Sequence, residues 1–134
     1  MNKKICILTS LFAFILAACG GGAPSTTIDV TMTDFSFTPN AFSVPAGEQI
    51  TINAINNGAV VHNFVIMKLG ASAGEAFDDA DVPNVYWEVE IQPGGSVNDA
   101  FTAPTEAGDY QVICRTPGHI SSGMIATLTV VAGN

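Results

Sequence analysis

The chain has 134 residues, enough for one domain with a modest core, and carries twelve acidic side chains against four Lys or Arg, a formal charge of −8. That balance argues against a nucleic-acid partner, whose phosphates favour a basic surface. Three cysteines, at 6, 19 and 114, and two histidines, at 62 and 119, form a list of metal-ligating side chains short enough to follow one by one.

At the N-terminus, Lys3 and Lys4 precede an apolar run over residues 5–18 that ends in small residues. This is the pattern of an export signal, too short to span a bilayer comfortably as a permanent helix. The run closes with Leu16-Ala17-Ala18-Cys19, which resembles the lipobox of bacterial lipoproteins, where cleavage leaves the cysteine as an acylated N-terminus. Residues 1–18 are therefore read as a lipoprotein signal peptide. Residues 19–26, with Gly20-Gly21-Gly22-Ala23-Pro24-Ser25, are read as a lipidated start and flexible linker, and 27–134 as the folded domain. Processing would remove Lys3 and Lys4, leaving Lys68 and Arg115 against all twelve acidic residues. With Cys6 removed and Cys19 given to lipid, Cys114 remains alone in a compartment that oxidises exposed thiols, which predicts that something occupies it.

Beyond the linker, apolar and polar residues alternate in short stretches rich in Val, Ile, Thr, Phe and Tyr. The pattern predicts strands over 27–37, 41–44, 49–56, 62–68, 85–91, 96–102, 109–114 and 124–131. Pro45-Ala46-Gly47, Asn57-Gly58, Gln92-Pro93-Gly94-Gly95, Ala103-Pro104 and Glu106-Ala107-Gly108 supply turn signals between them. Eight short strands with no competing helical period predict an all-β sandwich or barrel. Residues 70–84 break the pattern with Glu75, Asp78, Asp79 and Asp81 among small residues. A short helix and an excursion over the sheet edge, with Phe77 and Val82 covering part of a sheet, are expected there. Its acidity suits either plain solvation or docking onto a basic partner.

The segment from Cys114 to Met124 places four residues between Cys114 and His119 and four more between His119 and Met124. Alternation along 109–114 puts Tyr110, Val112 and Cys114 on one face, so the thiol points into the core at a strand end. Pro117, Gly118 and Gly123 allow the chain to turn back so that His119 lies between thiol and thioether. His62, the other histidine, stands at a strand start after the Asn57-Gly58 turn and would complete a His₂Cys set with Met124. Structural zinc sites rarely include a thioether, whereas His₂Cys with a weak axial Met describes a blue-copper electron-transfer site. Taken singly, Cys114 could be an ordinary buried thiol, the histidines surface or capping groups, and Met124 a core filler.

These residues resemble the cupredoxin family of type 1 blue copper proteins, in particular its auracyanin, rusticyanin, azurin and plastocyanin-like members. The resemblance rests on Val44-Pro45-Ala46-Gly47-Glu48-Gln49-Ile50-Thr51, His62-Asn63-Phe64-Val65-Ile66, Gly108-Asp109-Tyr110-Gln111-Val112-Ile113-Cys114, and Pro117-Gly118-His119 through Gly123-Met124. The Cys-to-His spacing is similar to that of rusticyanin and auracyanin more than plastocyanin. The resemblance implies an eight-stranded Greek-key β-sandwich holding one mononuclear copper that cycles between Cu(I) and Cu(II). It makes His62, Cys114 and His119 the strong equatorial ligands and Met124 the weak axial one. It also implies that His119 is an exposed edge where electrons enter and leave, flanked by Pro117, Gly118 and Ile120, and that Asn63 braces the Cys114 loop by hydrogen bonds.

The expected function is a monomeric, non-enzymatic carrier of single electrons between membrane redox complexes: a cytochrome, a photosynthetic reaction centre or a terminal oxidase. Contact with the membrane is expected only through the lipid on Cys19, at the extracytoplasmic, periplasmic face of a bacterial membrane. Copper enzymes of related fold need further histidines, and none is left after His62 and His119. The alternative is a lipoprotein that stores or delivers copper without redox turnover.

Overall fold

The computed structural model describes residues 22–133. The proposed signal peptide and Cys19 lie outside the described residues. Nine strands follow one another: β1 (Thr27–Thr33), β2 (Ser36–Thr38), β3 (Ala41–Pro45), β4 (Gln49–Asn56), β5 (His62–Met67), β6 (Val85–Ile91), β7 (Ser96–Thr102), β8 (Gly108–Ile113) and β9 (Ile125–Val131). They form two sheets, ordered β2-β1-β4-β7 and β3-β9-β8-β5-β6. β1 runs parallel to β4 and β3 parallel to β9, while the other pairs are antiparallel.

The predicted all-β sandwich is the fold observed, with one more strand than expected among the described residues. The difference lies at 27–37, read as a single strand. Ile28, Val30 and Met32 point inward, and continued alternation would bury Asp34 next. Instead the chain turns at Asp34 and Phe35 and returns as β2, where the inward position has shifted phase to Phe37.

The core lies between the sheets. β4 contributes Ile50, Ile52 and Ala54, β9 contributes Ala126, Leu128 and Val130, and β8 contributes Tyr110 and Val112. Phe64 is fully buried and takes the rings of Phe37 and Phe42 edge-on, with centroids 5.7 and 5.5 Å away. Trp87 on β6 stacks at 4.8 Å on Phe101 of β7, joining the two sheets along one edge.

β5 is buried along its whole length, so its second face needs a cover. Residues 68–84 supply it. Val65, Met67, Ile113 and Ile120 pack with Ala73 in a second apolar cluster, and Phe77 and Val85 lie against it. Phe77 thus covers the sheet as expected, but Val82 does not: it lies 55% exposed in a 3₁₀ turn, Val82–Asn84, and Ala73 takes the buried role. Lys68 Nζ donates to the Pro83 carbonyl at 2.6 Å, while Arg115 pairs with Glu88 at 3.3 Å and sits 6.0 Å from the Phe77 ring centroid. Both basic side chains among the described residues therefore help hold this excursion. The acidic residues within it are partly used locally, since Asp78 and Asp81 carboxylates accept main-chain amides of Ala80 and Asp78.

Candidate metal centre

Three of the four candidate donors sit where a strand begins or ends, and His119 lies in the loop between β8 and β9. His62 opens β5, Cys114 follows β8, and Met124 precedes β9. β8 and β9 pair up to Ile113↔Ile125, so the chain between them must leave the sheet and return to the same place. Gly118 and Gly123, at φ 82° and 91°, provide the two left-handed positions this requires. The Met124 amide donates to the His119 carbonyl at 3.0 Å, and the Cys114 amide donates to the Met124 carbonyl at 3.3 Å. The main chain of the three loop residues is thereby tied together before any metal is considered.

The side chains converge. Cys114 Sγ lies 3.3 Å from Nδ1 of His119 and 3.7 Å from Nδ1 of His62, and the two imidazole centroids are 5.0 Å apart. One ligand atom from each of the three residues falls within 4.8 Å of the others. His62, Cys114 and Met124 are fully buried, and His119 is 4% exposed. Burial pushes the His119 imidazole below its usual pKa, with the neighbouring His62 acting in the same direction and Asp34 opposing. A neutral imidazole is what metal ligation requires. A cysteine sulfur and two imidazoles in one buried cluster, with the buried thioether of Met124 on the same loop and no carboxylate in the cluster, fit a mononuclear type 1 copper site.

A surrounding layer holds these groups. The Asn63 amide donates to Cys114 Sγ at 3.3 Å. The Asn63 side chain accepts from the Thr116 hydroxyl at 3.2 Å and donates to Glu90 at 3.2 Å. The single Thr116 hydroxyl proton is shared with the Val61 carbonyl, the nearer acceptor at 2.8 Å. Asn56, fully buried, donates to the Val60 and Ile91 carbonyls and accepts from the Gly58 amide, shaping the turn ahead of His62.

Two neighbours were not singled out in the sequence. Asp34 Oδ1 lies 2.9 Å from His62 Nε2, and Phe35 stands edge-on to His119 with centroids 4.9 Å apart. The Asp34 carboxyl is held below the ordinary carboxylate range, chiefly by the Ala59 amide and further by the two histidines, against the effect of burial. The signal for both was the phase slip in apolar alternation at 34–35. His119 is more enclosed than expected because Phe35 covers it. Ile120, expected at the surface beside it, is 5% exposed and belongs to the second cluster, since the loop packs it down against Val65 and Ile113.

The sequence matches the family described as copper binding proteins, plastocyanin/azurin family, over residues 24–131. The chain belongs to this family. Cupredoxins similar to it include auracyanin-A of Chloroflexus aurantiacus, 34% identical with 86% of this chain and 88% of the relative aligned. Plastocyanin of Sambucus nigra is 33% identical over 71% of this chain and 87% of its own. The solved structure of dithionite-reduced auracyanin from Roseiflexus castenholzii superposes with a TM-score of 0.68 at 30% identity, covering 81% of this chain and 99% of that one. A cupredoxin with this donor set is a blue copper electron-transfer protein.

Proposed function

We propose that this cupredoxin shuttles single electrons between membrane redox complexes while tethered through a lipid on Cys19. The observation that supports it most is the buried convergence of Cys114 Sγ with the Nδ1 atoms of His62 and His119. In this reading His62, Cys114 and His119 would hold the copper, with Met124 as a weaker fourth donor. Bound copper supplies the one-electron couple, Cu(II) to Cu(I). The protein's contribution is to keep the donors where they are in both states. Cys114 and Met124 belong to the main core cluster, and the loop between them is closed on itself by main-chain hydrogen bonds. Little rearrangement then accompanies the gain or loss of an electron.

Electrons enter and leave at the His119 side, where Phe35 is 46% exposed and Pro117 and Gly118 are exposed too. An apolar surface of this kind favours brief contact with a redox protein partner: a cytochrome, a reaction centre or a terminal oxidase. The tether raises the local concentration of such partners at the extracytoplasmic face of a bacterial membrane. No helix among the described residues is long and apolar enough to cross a membrane.

Adding Cu(II) to the domain lacking residues 1–22 tests the centre. An intense blue thiolate-to-copper band is expected; Cys114→Ala should abolish it, and Met124→Leu should keep copper bound but raise the reduction potential. A colourless protein, with spectra unchanged by either substitution, would refute the reading. Reversible voltammetry marks a carrier, whereas transfer of the metal itself to an acceptor marks the storage or delivery alternative. Labelled fatty acid should be incorporated by the full chain in a bacterial host and not by Cys19→Ser.

A further inference from the structure

We propose that Asp34, in the turn between β1 and β2, is a positioning residue for the copper centre that fixes the orientation of His62 and strengthens it as a donor. The proposal rests on the copper reading above. No ligand comes from the sheet that contains Asp34, yet the topology delivers its carboxylate to the site. β1 runs parallel to β4 until Met32 stands beside Asn56, and the Asn57 amide donates to the Met32 carbonyl at 2.8 Å. The β1–β2 turn and the loop leading into His62 therefore meet at the same end of the sandwich. The Thr33 and Ser36 hydroxyls, 2.8 Å apart, close the turn.

The carboxylate is held at two points. Oδ1 takes the Nε2 side of His62 at 2.9 Å, and Oδ2 accepts the Ala59 amide at 3.0 Å. Gly58 lies against both partners. A Cβ there would fall 2.4 Å from Asp34 Oδ1, 2.5 Å from His62 Nε2 and 3.1 Å from Asn56 Oδ1, so the contact needs the absence of a side chain at 58. The space around the carboxylate–imidazole pair is thus shaped by two segments, the β1–β2 turn and the loop leading into β5.

The chemistry follows from which nitrogen faces which partner. An anionic acceptor at Nε2 keeps the proton there and leaves the Nδ1 lone pair directed toward Cys114 Sγ, 3.7 Å away. The negative charge also makes the ring a stronger donor, which favours Cu(II) over Cu(I). Phe35, the next residue, packs against His119. One turn therefore supports both imidazoles, Asp34 by hydrogen bonding and Phe35 by contact.

Asp34→Asn keeps the shape and an acceptor oxygen but removes the charge, and Asp34→Ala removes the bond. In the copper-loaded full chain, Asp34→Asn should retain the blue band while Cu(II) affinity falls about tenfold relative to Cu(I), a rise in potential of about 59 mV for a one-electron couple. In the metal-free full chain, ¹⁵N NMR at one fixed pH should show His62 as a single Nε2–H tautomer in the wild type and a mixture in Asp34→Ala. An unchanged potential in Asp34→Asn would overturn the donor-strength claim, and an unchanged tautomer in Asp34→Ala would overturn the positioning claim. A wild-type chain that takes up Cu(II) without turning blue would refute the copper reading instead.

Discussion

Around Cys114 the main chain and the side chains of the same residues do different work. Asn63 offers its amide to the sulfur through the backbone, a contact that survives truncation of the side chain. Its carboxamide joins Thr116 to Glu90 and so braces the loop from outside. Asn63→Ala should therefore leave the blue band in place while loosening the loop. Losing a part-buried pair of hydrogen bonds predicts about 1–3 kcal/mol of lost stability in the metal-free protein, measured by denaturant unfolding, and roughly tenfold weaker copper binding. A lost blue band with unchanged stability would show that the side chain, not the amide, governs the sulfur. The four sulfur and imidazole groups were legible in the sequence because each is chemically distinctive and rare in this chain. Asp34 was not, because one carboxylate among twelve acquires meaning only when a parallel strand pairing carries it to a histidine 28 residues away.

Among the elements, β5 matters most to the site, since it begins with His62 and its inner face places Phe64 at the centre of the core. Phe64→Ala should cost about 3–5 kcal/mol, because the cavity would lie between two aromatic rings held by separate strands. Thermal unfolding monitored by circular dichroism checks this; a loss below about 1 kcal/mol would mean that Phe37 and Phe42 collapse into the space. Strands bounded by Gly and Pro turns were read from the sequence to the residue, as for Gln49–Asn56, Val85–Ile91 and Ser96–Thr102. The 27–37 stretch was misread because alternation persists on both sides of a tight turn and only its phase changes. The cover over the second face of β5 was half legible: Phe77 was the evident apolar candidate, but whether Ala73, Val82 or Ile120 faces inward depends on the path of an irregular segment, which no period encodes.

At the scale of the molecule, the sandwich brings together donors that lie up to 62 positions apart in sequence, and it does so with the same apolar contacts that make the fold. Cys114 and Met124 are members of the main core, packed with β8 and β9, and so belong to the folded state irrespective of metal. The metal-free chain should therefore unfold cooperatively rather than behave as a partly ordered ensemble. Copper, binding the folded form, must add stability by mass action: about 4 kcal/mol when free ligand is a thousandfold above its Kd. For a domain near 100 residues each kcal/mol moves the midpoint by about 4–8 °C, so loading should raise Tm by about 15 °C or more. Calorimetry on metal-free and copper-loaded protein measures both quantities. Cys114→Ala should keep the cooperative transition of the metal-free form and lose most of the copper-dependent rise. A broad, non-cooperative transition without copper would show instead that the centre is assembled by the metal and that the sandwich alone does not hold the donors in place.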